Sequence, residues 1–406
     1  MTSKLEDLIA ELCPNGVEYK KIGDIADVKT GKSNGNEAEE DGLYPFFVRS
    51  ENIKRKNDWE YDEEAIIIPG EGGVGDIYHY IKGKYALHQR VYRVHFEDPI
   101  VNTRFAYYYF KSNFKRFIIR KAVSATVTSI RKPMIEDFEI PVPPLDVQAE
   151  IVRILDTFTE LTAELTAELT ARKKQYEYYR DTLLTFDDNN PLHSLISRYC
   201  PNGVEYKNLK ELGSFFGGLT GKNKNDFVDG NARYITYKNV YCNAAVNFST
   251  NDFVKVSDGE KQNVLQYGDV IFTGSSETPD ECGFSSAVTC HLNEEVYLNS
   301  FCFAFRFNDA SVMNPDFSKY LFRSTALRSQ IKRTANGVTR FNVSKALMSK
   351  VTIPVPPLEV QNQIVQILDR FDALCNDLTQ GLPAEIEARR KQYEYYRDQL
   401  LTFKRA

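Results

Sequence analysis

Apolar residues recur every three or four positions along two long stretches of the chain, each of which follows a pair of prolines. Such a stripe predicts an amphipathic helix that packs against a partner helix. Each stretch has room for ~40 helical residues, or ~60 Å. The apolar positions are Ile151, Ile154, Leu155, Phe158, Leu161, Leu165 and Leu169 in the first stretch, and Ile364, Ile367, Leu368, Phe371, Leu374, Leu378, Leu382 and Ile386 in the second.

The two stretches end in near copies of one motif. Residues 171–181 read ARKKQYEYYRD and residues 388–398 read ARRKQYEYYRD, so ten of eleven positions agree. The simplest partner for one helix is therefore the other. In the second copy, Gly381 and Pro383 predict a kink or a break, because proline removes a helical hydrogen bond.

The repeat is larger than the helix. CPNGVEYK occurs at residues 13–20 and 200–207, and IPVPPL at residues 140–145 and 353–358. The second copy carries about 24 extra residues in its middle, and a repeat of this length indicates domain duplication rather than a solenoid. The two repeats run roughly over residues 7–186 and 194–403.

Between these framework segments the two repeats have diverged in sequence, and the pattern of apolar residues there indicates both strands and helices. Short apolar runs between Gly-rich or Asn-rich turns predict strands, and apolar spacing near 3.6 residues predicts helices. The sequence therefore predicts a mixed α/β (α+β) fold, with two globular domains and two long helices. The strands are expected at residues 64–69, 90–96, 269–273 and 300–307, and the helices at residues 104–120 and 316–333.

Composition narrows the class of protein. The formal net charge of −5 excludes a generally basic surface for nucleic acid, but not a local basic patch. Seven cysteines without framework or CxxC spacing favour a reducing compartment. The first residues do not resemble a signal peptide, and no apolar run approaches the ~20 residues of a membrane span. We expect a soluble, cytoplasmic protein.

The sequence offers few sites for chemistry. Residues 26–33, ADVKTGKS, nearly match a phosphate-binding loop, but no buried strand precedes them and the aligned residues 213–220, GSFFGGLT, lack the Lys-Ser pair. The five histidines lack metal-ligand spacing, and there is no DPPY or NPPY adenine-methylase signature. We therefore predict no catalytic residue and no metal site in this chain.

A short repeat lies inside the first long stretch, where residues 160–171 read ELTAELTAELTA. One four-residue unit lengthens a helix by ~6 Å and keeps its phase to within ~40°. A change in copy number would alter the separation of the flanking domains without destroying the helix, so we interpret the run as an adjustable spacer. A helix-forming surface of Ala, Glu and Leu explains the composition equally well, but not the repetition.

These motifs together resemble one family. IPVPPLxxQ, IVxILD and RKKQYEYYRDxLLTF, present twice around two divergent domains, closely resemble the specificity subunit of type I restriction-modification systems, and the TAEL run resembles the subgroup with such repeats in the central helix. The resemblance covers essentially the whole chain. Many members have Glu before the Gln, where this chain has Val147-Gln148 and Val360-Gln361.

The resemblance implies two target-recognition domains that each read one half of a split double-stranded DNA site, held apart by an antiparallel helix pair that forms a coiled coil. It also implies docking of two modification subunits, which resemble S-adenosylmethionine-dependent adenine methyltransferases, and of two restriction subunits with ATP-driven motor and nuclease activity. S-adenosylmethionine, ATP and Mg²⁺ are expected in these partners and not in this chain. The expected segments are residues 1–145 and 188–358 for the domains, 146–187 for the central spacer helix and 359–406 for the distal helix.

Two other classes of protein stay open. The chain could be a coiled-coil scaffold for proteins without DNA readout, or an enzyme with unrecognised chemistry. Salt-sensitive binding to duplex DNA would separate a DNA-reading subunit from the scaffold. Because the net charge is negative, we expect tight DNA binding to depend on the modification subunit.

Polar loops of both domains supply the candidate DNA contacts, since Lys and Arg bind phosphates, and Arg, Asn, Gln, Ser and Thr read bases. In the first domain they are Lys29, Lys32, Ser33, Asn34, Arg49, Asn52, Lys54, Arg55, Lys56, His88, Gln89, Arg90, Thr126, Thr128 and Arg131. In the second domain they are Lys222, Asn223, Lys224, Tyr237, Lys238, Asn239, Ser275, Ser276, Thr278, Thr339, Arg340 and Asn342. Further phosphate contacts are expected from Lys111, Lys115, Arg116, Arg120, Lys121, Arg323, Arg328, Lys332 and Arg333.

The twin motif is the candidate docking surface for the modification subunits. The residues expected to contact them are Arg172, Lys173, Tyr176, Tyr179, Arg389, Arg390, Tyr393 and Tyr396.

Overall fold

The structure is a computed structural model that describes residues 3–121, 129–377 and 379–406. The chain forms two compact units that do not follow chain order. Unit 1 contains residues 1–166 and 385–406, and unit 2 contains residues 167–384. Each unit therefore combines the divergent domain of one repeat with the closing motif of the other repeat.

Unit 1 contains most of the first repeat. Its elements are α1 Ser3–Leu12, β1 Tyr19–Lys21, α2 Ile22–Ile25, β2 Asp27–Thr30, β3 Tyr44–Phe47, β4 Lys54–Lys56, β5 Tyr61–Pro69, β6 His79–Leu87, β7 Val91–His95, α3 Thr103–Lys121, α4 Lys132–Glu136 and β8 Glu139–Pro141. A short 3-10 helix spans Gly35–Glu37. Helix α5 then runs without interruption over Leu145–Leu183, from unit 1 into unit 2.

Unit 2 contains most of the second repeat. Its elements are α6 His193–Tyr199, β9 Tyr206–Asn208, α7 Leu209–Leu212, β10 Gly213–Gly217, β11 Ala232–Ile235, α8 Tyr237–Cys242, β12 Phe253–Val254, β13 Val270–Thr273, β14 Ser275–Ser276, β15 Ser285–Ala287, β16 Val296–Leu298, β17 Cys302–Phe307, α9 Pro315–Leu321, α10 Thr325–Lys332, β18 Ala335–Asn336, β19 Phe341–Val343, α11 Lys345–Met348, β20 Thr352–Pro354 and α12 Leu358–Asn376. A 3-10 helix spans Lys224–Phe227, and α13 Leu382–Leu400 lies mostly in unit 1.

The central sheets of the two units share the order of four strands. Unit 1 has one sheet of order β2-β7-β5-β6-β3-β4, whereas unit 2 has a four-stranded sheet of order β10-β17-β13-β15 and a separate sheet of order β12-β11-β16. Both units also contain one parallel pair, with Phe47 opposite Leu87 in unit 1 and Ile235 opposite Leu298 in unit 2. Unit 2 adds a small sheet of order β14-β19-β18. The duplication seen in the sequence is thus a duplication of the fold.

Successive side chains of a strand point to opposite sides of the sheet. The central strands are buried on both of these sides. In β5, Ile66 and Ile68 pack into the core that includes Phe105 of α3, whereas Ile67 packs with Phe47 on the other face. All the predicted strands are confirmed, as is α3. The end of β5 and the start of β13 show uninterrupted apolar runs, as expected where both faces of a strand are covered.

The single helix predicted at residues 316–333 is wrong, because α9 and α10 are separate. The Ser324 hydroxyl accepts a hydrogen bond from the backbone N–H of Leu327 and starts a new helix. Serine is favoured at a helix start because its hydroxyl oxygen accepts a hydrogen bond from a backbone N–H of the first turn, which has no carbonyl partner inside the new helix. Apolar spacing alone cannot distinguish such a cap from an interior serine.

The long helices are as predicted. Helix α5 contains 39 residues, and the second copy breaks between Asn376 and Leu382. The chain turns sharply at Gly381, where a Cβ atom would lie 2.6 Å from the carbonyl oxygen of Ala373. Leu378 lies outside the described residues. With these helices, the predicted mixed α/β fold class is confirmed.

Within unit 2 the closing part of α5 packs antiparallel on α12. Burial raises the pKa of the Cys375 thiol, and the nearby positive charge of Arg172 partly offsets this rise. Tyr179, two turns further along α5, stacks on the Phe371 ring with centroids 5.1 Å apart. In unit 1, Phe158 and Tyr396 form a comparable stack at 5.6 Å. Aromatic side chains of the twin motif therefore provide helix-to-helix contacts inside both units.

The leucines after each motif complete a core that belongs to the other repeat. Leu400 and Leu401 are buried in unit 1, and Leu183 and Leu184 are buried in unit 2. The backbone N–H of Val17 also donates to the carbonyl oxygen of Lys404 at 2.8 Å.

The final aspartate of each motif makes a matching contact. Asp181 accepts hydrogen bonds from the backbone N–H and hydroxyl of Thr325 at 3.0 and 2.6 Å, where α10 begins. Its counterpart Asp398 accepts a hydrogen bond from the Ser112 hydroxyl at 3.2 Å. A carboxylate at a helix start is favourable because the unpaired N–H groups there carry partial positive charge. The motif therefore anchors each helix to a domain.

Candidate nucleic-acid interface

In unit 1, loops from distant parts of the sequence meet at one edge of the sheet. Because β3 and β6 run parallel, the loops that follow them start side by side, and the backbone N–H of His88 donates to the carbonyl oxygen of Phe47 at 3.0 Å. The loop after β5 joins them. Together they enclose a cavity of about 450 Å³ lined by Gly35, Val48, Arg49, Ser50, Lys54, Glu71, Gly72 and His88.

Glu71 orients two of the predicted arginines at this cavity. Arg90 donates to both carboxylate oxygens of Glu71 at 3.0 and 2.9 Å, and Arg49 donates to one of them at 3.1 Å. These hydrogen bonds, first those from Arg90, hold the pKa of the Glu71 carboxyl below its usual range. A held guanidinium is pre-organised for planar acceptors such as phosphate or guanine. The sequence analysis did not identify Glu71.

Several other predicted residues of unit 1 shape the loops from within. Lys56 donates to the hydroxyl of Ser33 at 3.0 Å and to Glu37 at 2.8 Å. Arg55 donates to the carbonyl oxygens of Gly42 and Leu43. These contacts fix loop geometry, so the three predicted residues act within the domain in this structure.

The remaining predicted residues of unit 1 lie on its surface or outside the description. Gln89 donates to the Asn34 side chain at 2.7 Å, and Lys29 pairs with Asp27 at 2.7 Å. The exposed residues among them are Lys29, Lys32, Asn34, Asn52, Lys54, Gln89 and Arg131. Thr126, Thr128 and the side chain of Lys121 lie outside the described residues.

Unit 2 has a cavity at the equivalent edge. It measures about 840 Å³ and is lined by Tyr237, Ser275, Ser276, Glu277, Glu281, Phe301, Thr339 and Arg340. The small sheet builds it, because Ser276 of β14 lies opposite Phe341 of β19. The Tyr237 hydroxyl donates to the carbonyl oxygen of Ser275 at 2.7 Å, and Arg340 donates to the Ser275 hydroxyl at 3.1 Å. Three predicted loops therefore converge here.

The other predicted residues of unit 2 divide in the same way. Lys222 is mostly buried against Glu260 at 2.5 Å, and Asn239 is buried with its side-chain amide donating to the carbonyl oxygen of Asn247 at 2.6 Å. Asn223 caps the 3-10 helix that follows it. The exposed residues are Asn223, Lys224, Lys238, Thr278, Thr339, Arg340 and Asn342.

The two cavities share a turn but differ in the side chain it presents. In unit 1 the His88 Nδ1 atom accepts a hydrogen bond from the backbone N–H of Arg90 at 3.0 Å, and in unit 2 the Asn299 side chain accepts one from Phe301 at 2.8 Å. Burial, followed by the nearby positive charges of Arg49 and Arg90, lowers the pKa of His88. Glu277 lies within residues 274–278, which the sequence marks as a polar loop, but Phe301 and Glu281 were not among the candidate residues. Alignment of residues 87–94 (LHQRVYRV) with residues 298–305 (LNSFCFAF) places Phe301 opposite Arg90.

Two arginines expected to contact phosphate have internal roles instead. Arg323 donates to four backbone carbonyl oxygens, of Ser285, Val240, Tyr241 and Asn243, at 2.7 to 3.2 Å. Burial lowers its pKa to about 10, to which the neighbouring charge of Arg328 contributes.

Arg328 likewise donates to the carbonyl oxygens of Gly283, Asp280 and Cys282. On α3, Lys115 pairs with Asp76 at 2.5 Å, and Arg116 lies 3.8 Å from Asp398.

This internal role predicts a stability effect. We expect Arg323→Ala to lower the free energy of unfolding of unit 2 by about 2–3 kcal/mol, because buried carbonyl oxygens lose their donors. Arg333→Ala, an exposed position at the end of α10, is the matched control and should change it by less than about 0.5 kcal/mol. Urea unfolding followed by a probe in unit 2 measures both. Equal effects of the two substitutions would contradict the internal role of Arg323.

The twin motif turns its predicted tyrosines inward. Tyr176 packs against the unit 2 core and Tyr393 against the unit 1 core, where burial raises the pKa of Tyr393 to about 12. By contrast, Tyr178 and Tyr395 are 66% and 61% exposed. Of the predicted cations, Arg172 and Arg389 interact with Glu168 and Glu385 on their own helices, Arg390 lies 3.5 Å from Glu394, and Lys173 is exposed. Their role in docking stays a prediction.

None of the described helices combines the length and the apolar character needed to cross a membrane. Over the same ranges, no group of His, Cys, Asp and Glu side chains is arranged to hold a metal ion.

Sequence comparisons place these features in a known family. The sequence profile described as the type I restriction modification DNA specificity domain matches residues 14–172 and 201–388. The specificity subunit of the EcoR124I/EcoR124II enzyme of Escherichia coli is 35% identical over 285 residues, which cover 65% of this chain and 63% of that protein. A putative type I restriction enzyme specificity subunit of Haemophilus influenzae is 28% identical over 407 residues, covering 95% of this chain and 96% of that one.

Solved structures agree on the fold. The type I restriction-modification S subunit of M. genitalium matches with a TM-score of 0.56 at 16% identity, covering 96% of this chain and 97% of that one. A chain from a study of complex assembly in the type I system matches with a TM-score of 0.58 at 12% identity, covering 96% and 98%. Proteins of this kind are non-catalytic, as predicted for this chain. The two matched segments, each containing one of the equivalent cavities, establish that the chain belongs to the family of DNA specificity subunits of type I restriction-modification systems.

Proposed function

We propose that each unit reads one half of a split DNA sequence, and that helix α5 sets the spacing between the halves. The observation that carries the proposal is the pair of equivalent cavities at the ends of the parallel strands. The same framework presents Arg49, Lys54 and His88 in unit 1 but Tyr237, Ser275 and Arg340 in unit 2. Equivalent cavities lined by different hydrogen-bonding groups are what the reading of two different half-sequences requires.

Partner subunits complete the proposed function. We infer that two modification subunits dock on the repeated helices and supply the adenine methylation, together with its S-adenosylmethionine. Two restriction subunits would add the chemistry that requires ATP and Mg²⁺. The chain itself carries a formal charge of −5, which opposes attraction to DNA phosphates. Its contribution would therefore be selectivity, with much of the affinity coming from the partner.

The proposed function is tested with the complex of this chain and its modification subunit. Methylated adenines are mapped genome-wide in the presence and absence of this chain, and binding to a duplex carrying the mapped site is measured at several salt concentrations. We expect one split motif whose methylation disappears without this chain, and salt-sensitive binding. Methylation of unchanged sequence without this chain would support the protein-binding scaffold instead.

The TAEL run gives a second test. The boundary between the compact units, at residues 166 and 167, falls inside this run of the continuous helix α5. Deleting residues 166–169 removes ~6 Å of helix, which corresponds to one or two base pairs at ~3.4 Å each. We expect the mapped motif to lose one or two base pairs from its gap while both half-sequences stay the same.

A length-preserving variant is the control for this deletion. Thr166→Ala combined with Glu168→Ala changes the same repeat but keeps every residue of the helix, so its gap should equal that of the wild type. An unchanged gap in the deletion variant would disprove the role of the TAEL run as a spacer. Altered half-sequences would disprove the proposal that the run sets only the spacing and has no part in base recognition.

A further inference from the structure

The β18–β19 hairpin of unit 2 exposes an apolar side chain at its tip. Val338 is 91% exposed, whereas the strands on either side of it are anchored in the small sheet. An exposed valine by itself is ordinary. This one is held next to the recognition cavity, and the two residues that follow it line that cavity.

The backbone of the hairpin fixes where this side chain lies. Asn336 is paired with Asn342, and only the four residues 337–340 form the turn between the two strands. Gly337 adopts a φ of +149°, and a Cβ atom there would collide with the carbonyl oxygen of Arg340. The tight turn thus depends on glycine, and it projects Val338 away from the sheet.

The surroundings of Val338 combine hydrogen-bonding groups with apolar ones. Arg340 donates to the Ser275 hydroxyl at 3.1 Å and its guanidinium lies 5.7 Å from the centre of the Phe301 ring, which is 58% exposed. The Thr339 hydroxyl and the Glu277 carboxylate complete the polar part of the cavity. The surface therefore offers donors, acceptors and an apolar tip within one hairpin and its neighbours.

This combination matches the chemistry of a DNA major groove. The groove accepts a two-stranded ribbon, and base pairs display donors, acceptors and one apolar group, the 5-methyl of thymine. We propose that Val338 contacts the methyl group of a thymine in the half-sequence read by unit 2, and so determines specificity at that base pair. The inference deepens the proposed function and rests on it.

Base analogues test this contact directly. After the split motif is mapped, duplexes are made in which each thymine of the half-site read by unit 2, on either strand, is replaced singly by deoxyuridine. Deoxyuridine lacks the methyl group but keeps every hydrogen-bonding group of thymine. Affinities are measured by titration with the complex of this chain and its modification subunit at fixed salt. The half-site read by unit 2 is assigned as the one whose specificity changes in Arg340→Ala.

We expect one replacement to weaken binding by wild type about fourfold, the effect of losing one buried methyl group. Val338→Ala should bind the thymine and uracil duplexes equally well. Val228→Ala is the matched control, because Val228 is also an exposed valine of unit 2, at 72%, but, unlike Val338, it has no cavity-lining residue next to it in the chain. It should retain the fourfold discrimination. Equal melting temperatures of the three proteins will show that each one is folded.

The inference would be overturned by a half-site without thymine, by the absence of any uracil duplex that binds more weakly, or by unchanged discrimination in Val338→Ala. A uniform loss of affinity for all duplexes in Val338→Ala would also overturn it, since it would show a contact that does not depend on the methyl group. Failure of the proposed function looks different, because then the wild-type complex would not prefer the mapped motif at all.

Discussion

Leu400→Ala is expected to lower the free energy of unfolding of unit 1 by ~2–5 kcal/mol, although Leu400 lies in the second repeat. The reason is that Leu400 is buried in the core formed with Leu5 and Phe105. Its counterpart Leu183 is buried in the core of unit 2. Leu183→Ala should therefore destabilise unit 2 by a similar amount, although it lies at the end of the first repeat.

Hydrogen exchange with mass spectrometry measures the two effects separately. Peptides from β5 report on unit 1 and peptides from β13 report on unit 2, since both strands are buried in their respective cores. Gln399→Ala, which alters an exposed side chain next to Leu400, is the control and should leave both peptides protected. The opposite result, faster hydrogen exchange of the β13 peptides in Leu400→Ala with unchanged exchange of the β5 peptides, would contradict the prediction. It would show that each closing segment packs in the core of its own repeat.

Arg340→Ala and Arg90→Ala are expected to weaken binding of the complex to its DNA site by about 1–3 kcal/mol each, or roughly five- to 150-fold. Each should relax the mapped motif in one half only. Arg340 is held at the unit 2 cavity by Ser275, and Arg90 at the unit 1 cavity by Glu71. A guanidinium that binds a guanine through two hydrogen bonds carries sequence information, whereas a phosphate contact weakens all sequences alike.

The control for this pair is Arg370→Ala, which removes the same charge from an exposed position of α12, away from both cavities. Mapping of methylated sites and titration at fixed salt are done for all three variants. The assignment of one half-sequence to each unit fails if both arginine variants relax the same half, or if Arg370→Ala relaxes either half as strongly.

Much of the fold follows from local sequence. The runs at the end of β5 and the start of β13 are apolar without alternation because those strands are covered on both faces. The apolar stripe of α5 continues through a helix of 39 residues that contains no glycine or proline. The pair Gly381 and Pro383 marked the break before α13. The split between α9 and α10 was not predictable from spacing, because it depends on the capping hydrogen bond of Ser324.

The candidate site was predicted only as a set of loops. Polar segments at strand ends identified Arg49, His88, Ser275 and Arg340 as residues of a common surface, and the structure gathers them at two cavities. The sequence could not distinguish Arg340, which lines a cavity, from Arg323 and Arg328, which donate hydrogen bonds to backbone carbonyl oxygens inside the domain. Whether an arginine meets solvent or a set of backbone carbonyls depends on chain segments that are distant in sequence.

By itself, the sequence determined that the chain is duplicated, that each repeat ends in a long amphipathic helix, and that the family is one of DNA specificity subunits. Periodicity and repetition are properties of the sequence itself, so they can be recognised without a structure. Only the tertiary structure decided which domain each closing motif completes. The two motifs are nearly identical, and an apolar pattern shows that Leu183 and Leu400 must be buried without showing against what. That assignment depends on long-range packing, which buries Leu400 in the same core as Leu5 and Phe105 although these residues are far apart in the sequence.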